Sequence, residues 1–151
     1  MRMELVRDWM SRNVITVTPE TTLPEVEQLM VSKTIRRLPV VENGRLVGIV
    51  TYGDIRNARP SAVSSLNIWE LNYLITRIKM SEIMTRDPIT VSPETTIGEA
   101  AQKMLANMIS GLPVLDSQGQ LVGIITESDI FRLAARTWQE QETAEPYTHY
   151  G

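Results

Sequence analysis

"LVGIVTYGDI" (residues 46–55) runs from an apolar stretch into a threonine, two spacer residues and an aspartate, and residues 121–130 repeat it as "LVGIITESDI". Working outward, "MSRNVITVTPETTLPE" (10–25) matches "MTRDPITVSPETTIGE" (84–99), and "RLPV" (37–40) matches "GLPV" (111–114). The halves are offset by 74 residues over this part and by 75 beyond it, because "ENGR" in the first copy is answered by "DSQGQ" in the second. A unit of about fifty residues is therefore present twice, too few copies for a solenoid, which needs three or more.

Each copy reads strand, helix, strand, strand, helix. "VITV" (14–17) and "PITV" (88–91) are short β-rich runs closed by Pro19 and Pro93. Thr22 with Glu25, and Thr96 with Glu99, have capping-box spacing and predict helix starts. Beyond the second start, Ile97, Ala100, Ala101, Met104, Leu105 and Met108 recur at helical spacing and predict one apolar face, with the methionines as core filler. "LPVVENGRLVGIV" (38–50) reads as two buried strands around a tight turn, with Asn43-Gly44 supplying the positive φ that a hairpin wants. Gly48 and Gly123 interrupt the second strand of each copy, where either another backbone or a ligand approaches closely, packing being the commoner reason.

Between the copies, "NARPSAVSS" (57–65) is linker-like, and Leu71, Leu74, Ile75 and Ile78 lie at helical spacing in a connector expected to pack back on the body or form a subunit contact. Beyond Arg136 periodicity is lost, and fraying is expected unless Trp138 and the tyrosines dock on a partner. The predicted organisation is a first motif over 1–57, a partly helical connector over 58–79, a second motif over 80–136 and a tail over 137–151.

Composition narrows the function. A chain of 151 residues buries roughly 68 to 70% of its unfolded surface and needs no staple. It has no cysteine, which fits a reducing compartment and removes disulfides, thiolate ligands and thiol nucleophiles. His149, the only histidine, lies near the C-terminus, so a His-dependent triad or a His/Cys zinc site is not expected; no catalytic or metal-ligating residue is predicted. No stretch has the length of a signal core or a spanning helix, so a soluble cytoplasmic protein with no membrane partner is expected. The net charge of -3, with no basic recognition helix, argues against nucleic acid. Neither a Walker-type glycine loop nor a clustered carboxylate set is present, so the chain does not read as an enzyme.

Thr51 with Asp54, and Thr126 with Asp129, again have capping-box spacing and open a helix after a strand. The same place offers free backbone N–H groups to a phosphate, and the two roles are compatible.

Two copies in register, each ending "G-I-V-T-x-x-D-I" or "G-I-I-T-x-x-D-I" after "L-P-V", closely resemble the cystathionine β-synthase (CBS) domain, and the tandem resembles a Bateman module. The resemblance covers about residues 8–57 and 80–135, and the length and connector resemble stand-alone bacterial CBS-pair proteins of the acetoin-utilisation type. It implies an α/β (α+β) fold of two β-α-β-β-α motifs packed through their sheets about a pseudo-twofold axis, with two clefts for adenosine-containing ligands.

In such a pair, Asp54 and Asp129 are implied to accept from ribose hydroxyls, and Thr51 and Thr126 to contact ribose or phosphate. An ionised carboxylate is acceptor-only and suits a cis-diol. Adenine is implied to lie against Val14, Ile15 and Thr16 with Ile35, Arg36, Arg37 and Leu38, and against Pro88, Ile89 and Thr90 with Ile109, Ser110, Gly111 and Leu112. The Thr/Asp pair of each copy would face the early strands of the other. On that arrangement Arg36 and Arg37 border the cleft of Asp129 and favour more phosphorylated ligands there.

The expected function is a regulatory module that binds AMP, ADP, ATP or a related adenosyl compound and modulates a separate effector protein, with no required cofactor and magnesium only if carried by ATP. A homodimer is expected from the resemblance. The alternative is a structural or oligomerisation module with vestigial nucleotide clefts.

Overall fold

The computed structural model describes residues 3–60 and 66–144, so part of the linker and the end of the tail (145–151) lie outside the described residues. The elements in chain order are α1 (Val6–Trp9), α2 (Leu23–Lys33), β1 (Arg37–Glu42), β2 (Arg45–Thr51), α3 (Tyr52–Ala58), α4 (Ile68–Arg77), α5 (Met80–Ile83), β3 (Thr85–Arg86), α6 (Ile97–Asn107), β4 (Gly111–Leu115), β5 (Leu121–Thr126) and α7 (Glu127–Ala144). This is a mixed α/β fold built on two repeated units.

The packed units are not the sequence repeats. One contains residues 1–12, 90–117 and 122–151; the other contains 13–89 and 118–121. Each repeat has lent its opening segment to the other unit. In the first of these units, Ile97 N–H donates to the Glu4 carbonyl (2.9 Å) and Val6 N–H to that of Thr95 (2.8 Å). In the other, Leu23 N–H donates to Ile78 and Met80 N–H to Thr21, both at 2.9 Å. Lys79 also holds Glu20 at 2.7 Å, a hydrogen bond that raises the lysine pKa.

The two hairpin glycines follow from this exchange. A Cβ on Gly48 would lie 2.6 Å from Met84 Sδ and 2.9 Å from the Thr85 carbonyl; one on Gly123 would lie 2.5 Å from Met10 Sδ and 2.9 Å from the Ser11 carbonyl. Backbone approaches at both positions, so packing explains these glycines. β3 pairs there with β2 (Gly48 opposite Arg86), completing the three-stranded sheet β1-β2-β3, while β4 and β5 form a two-stranded sheet. Asn43 and Gly44 turn the first hairpin with φ of 51° and 76°, and a bulge between Val40 and Val41 shifts its register.

"VITV" and "PITV" do not form strands. Only Val17 and Val91 bridge, in parallel, to Val40 and Val114. Val17 donates to the Pro39 carbonyl (3.0 Å) and accepts from Val41 N–H (2.8 Å). The next bond of a parallel ladder needs an N–H at position 39, and proline has none. Pro113 plays the same part beside Val91.

Two more expectations change. The apolar face of α6 is narrower than its spacing suggests: Ile97, Ala100 and Met104 are buried, but Leu105 and Met108 are 79% and 92% exposed. The expected fraying past Arg136 does not occur up to Ala144, since α7 runs on through 137–144. Those residues are largely Gln, Glu and Ala, good helix formers, and Arg136 pairs with Glu140 one turn on (3.2 Å).

Each unit has its own core. Leu23, Val26, Leu38, Val40, Val50, Ile55 and Met80 form one. Val6, Ala100, Leu112, Val114 and Ile125 form the other. The connector helix α4 packs on α2 and sets Ile75 and, just past its end, Ile78 against the core, but only part of the spaced apolar set turns inward, since Leu74, like Trp69 and Tyr73, is exposed. No helix among the described residues is long and apolar enough to cross a membrane.

Candidate ligand-binding site

Both Thr/Asp pairs lie where the second hairpin strand passes into a helix. In the first copy Thr51 ends β2 in extended conformation and caps α3. Its hydroxyl accepts from Asp54 N–H (3.2 Å), and Asp54 Oδ2 accepts from Thr51 N–H (2.9 Å), a complete capping box. The other carboxylate oxygen, Oδ1, has no partner among the described residues, and the side chain is half-buried. It is therefore an open acceptor on a fixed support.

Arginines and a tyrosine flank the strand-to-helix turn that carries it. Arg37 is the strand partner of Thr51, and Tyr52 N–H donates to the Arg36 carbonyl (2.7 Å). The guanidinium carbons of Arg36 and Arg56 lie 5.9 and 6.0 Å from the Tyr52 ring centre, within cation–π range. Because β1 and β2 are antiparallel, register pairs Arg37 with Thr51 of its own copy. Tyr52 and Arg56 went unremarked, although their spacing on α3 was legible.

In the second copy the backbone scheme recurs, with Glu127 N–H donating to the Ser110 carbonyl (3.0 Å). The side chains differ. Asp129 Oδ2 accepts from both the N–H (2.8 Å) and the hydroxyl (3.3 Å) of Thr126, while Oδ1 accepts from Arg132. Asp129 is 3% exposed. Arg132 was not singled out from the sequence, though its i,i+3 relation to Asp129 is the signal that finds it.

Of the other expected contacts, Leu38 and Leu112 are fully buried in the two cores, and Gly111 is also buried. Val14 and Ile15 are half-buried and Thr16 is exposed, where the chain leads into the Val17 bridge. Thr16 also lines a groove of about 520 Å³ with Thr18, Thr21, Glu25, Gln28 and Ser32. Ile35 is half-buried and packs on its core. Pro88 and Thr90 are half-buried, Ile89 and Ile109 are exposed, and the Thr90 carbonyl accepts from Lys103 (3.4 Å). No group of three or more His, Cys, Asp or Glu suited to a metal occurs among the described residues.

The family model for the CBS domain matches residues 6–61 and 80–136, more than half of the chain. The chain belongs to the CBS domain family. As a tandem CBS pair, a Bateman module, it is 38% identical over 139 residues to an uncharacterised protein of Methanocaldococcus jannaschii; the match takes in 87% of the chain but only 48% of that protein, so the chain spans about half its length.

Among solved structures, the CBS domain pair of protein MJ0100, in complex with 5'-methylthioadenosine and S-adenosyl-L-methionine, aligns with a TM-score of 0.75 and 32% identity over 90% of this chain and 99% of that one. A Vibrio cholerae protein described as an acetoin utilization protein aligns with a TM-score of 0.76 and 33% identity, covering 96% of this chain and 100% of its own. CBSX2, a CBS-pair protein known from Arabidopsis thaliana, aligns in its AMP complex with a TM-score of 0.72 and 30% identity, covering 89% of this chain and 98% of its own. Solved CBS pairs like this one thus bind adenosine-containing ligands.

Proposed function

We propose that this CBS pair is a cytoplasmic regulatory module that binds AMP, ADP, ATP or a related adenosyl compound through its Thr/Asp pairs and changes its contact with an effector protein according to occupancy. The observation that carries the reading is the open Oδ1 of Asp54, held on a capped strand-to-helix turn beside Arg36, Arg37, Tyr52 and Arg56. A carboxylate with a free acceptor oxygen suits a ribose diol, and neighbouring guanidinium groups suit phosphate oxygens. The adenosyl complexes of similar CBS pairs support the ligand class.

On this reading Thr51, Asp54, Arg36 and Arg37 form the site richest in phosphate-binding groups, with adenine against Val14–Thr16 and Ile35. Thr126, Asp129 and Ser110 form the second, with Thr90 and Ile109 as its adenine-side residues. Buried Leu38, Leu112 and Gly111 act as supports. The module catalyses nothing, and magnesium enters only with ATP. Effector control requires that ligand bind two states of the pair unequally. The exposed apolar side chains Leu105, Met108 and Phe131 support association into a homodimer.

One observation favours a second reading, a structural module with vestigial sites. The Thr51–Asp54 capping box is complete without a ligand, so stability alone accounts for both residues. Native mass spectrometry separates the two. Protein as purified, or after incubation with AMP, ADP, ATP or S-adenosylmethionine, is expected to carry an adenosyl-compound mass increment. No increment with any of the four leaves the structural reading standing.

A further inference from the structure

The two Thr/Asp pairs share a motif but not a hydrogen-bond state, and one residue makes the difference. In the first copy Thr51 Oγ1 accepts from the backbone, Asp54 Oδ2 is used once and Asp54 Oδ1 is open. In the second copy the threonine hydroxyl has turned to donate to Asp129, and the guanidinium of Arg132 holds Oδ1. Asp129 is then almost sealed from solvent, whereas the Arg132 side chain remains 65% exposed. At the position aligned with Arg132 the first copy has Asn57, which carries no charge.

We infer that Arg132 is a latch on the second pair, occupying the carboxylate oxygen that a ribose hydroxyl needs, so that the chain takes adenosine-containing ligand first at Asp54 and at Asp129 only by displacing the arginine. This deepens the functional reading above and rests on it. The chemistry is competition for one acceptor. A carboxylate oxygen aimed at a diol cannot serve a guanidinium along the same lone pair. The latch is weak, since ion pairs with an exposed arginine are screened by water. It grades affinity and does not abolish the site. Because Arg132 sits in the first turns of α7, anything that draws it outward, such as a carboxylate on a partner or on a neighbouring helix, opens the second pair.

The test is calorimetry with adenosine, which has no phosphate for Arg132 to attract, on the full chain. Wild type, Asp54→Ala, and Asp54→Ala combined with Arg132→Gln are compared; the exposed position of Arg132 lets the double variant fold. The double variant is expected to bind adenosine about two- to fivefold more tightly than Asp54→Ala alone, the range set by the strength of exposed ion pairs. The same comparison with 2',3'-dideoxyadenosine is expected to show no gain. Equal affinities for adenosine in the two variants, binding by neither, or an equal gain for both nucleosides overturns the latch. Wild-type protein that binds no adenosyl compound overturns the functional reading itself, and the latch with it.

Discussion

Replacing Asp54 separates its structural role from its ligand role. In Asp54→Ala, Thr51 N–H loses its 2.9 Å acceptor, while the bond from residue 54 N–H to the Thr51 hydroxyl remains. Losing one side of a capping interaction costs about 0.5–2 kcal/mol. For a chain of this size that is a fall in Tm of about 1–8 °C. If the open Oδ1 accepts from ribose, the same change removes charge-assisted hydrogen bonds as well, weakening binding by about 1.5–3 kcal/mol, or roughly 10- to 150-fold. Asp54→Asn divides the effects. At this position, the third of the helix, asparagine keeps an amide oxygen to accept from Thr51 N–H but loses the negative charge that favours a helix N-terminus, about 0.3–1 kcal/mol, so Tm falls by about 1–4 °C, less than in Asp54→Ala. Its neutral amide lacks the charge, and most of the affinity loss persists. The assays are differential scanning fluorimetry without ligand and calorimetric titration with AMP. If Asp54→Asn binds AMP like wild type, or Asp54→Ala lowers Tm and leaves binding unchanged, the ligand role assigned to this carboxylate is wrong.

Gly48→Ala should lower stability by about 1–3 kcal/mol, because its Cβ meets Met84 Sδ at 2.6 Å and a carbonyl at 2.9 Å; denaturant unfolding as stable as wild type refutes the backbone contact. Leu38→Ala should cost about 2–5 kcal/mol by the same measurement, as expected for a fully buried side chain, while the folded variant keeps its AMP affinity. Light scattering should give about twice the chain mass of 17.1 kDa; a monomer removes the homodimer.

Much of this architecture was legible because the duplication printed each signal twice. The capping residues Thr22 and Thr96, the Asn43-Gly44 turn and the helix-opening Thr51 and Thr126 are local chemistry, and local chemistry reads directly from sequence. What failed was non-local. "VITV" has strand composition, but whether it forms a ladder depends on Pro39, twenty-odd residues away and paired with it only after folding. The exchange of opening segments between units is invisible to an alignment of the repeats, although Gly48 and Gly123 recorded its steric consequence. The helical continuation past Arg136 was missed because an exposed helix end needs no apolar period, only good helix formers and pairs such as Arg136–Glu140. At the site, the Thr/Asp motif was plain, but the pairing of Arg37 with Thr51 is a matter of strand register, which no local signal prints.

The most direct test of the adenosyl-sensing account is equilibrium dialysis of the wild-type chain and Asp54→Asn against labelled AMP. The account predicts saturable binding by wild type that cold S-adenosylmethionine or ATP displaces, and markedly weaker binding by the variant while it remains folded at the assay temperature. Wild-type protein that retains no label up to millimolar AMP, ATP and S-adenosylmethionine contradicts it.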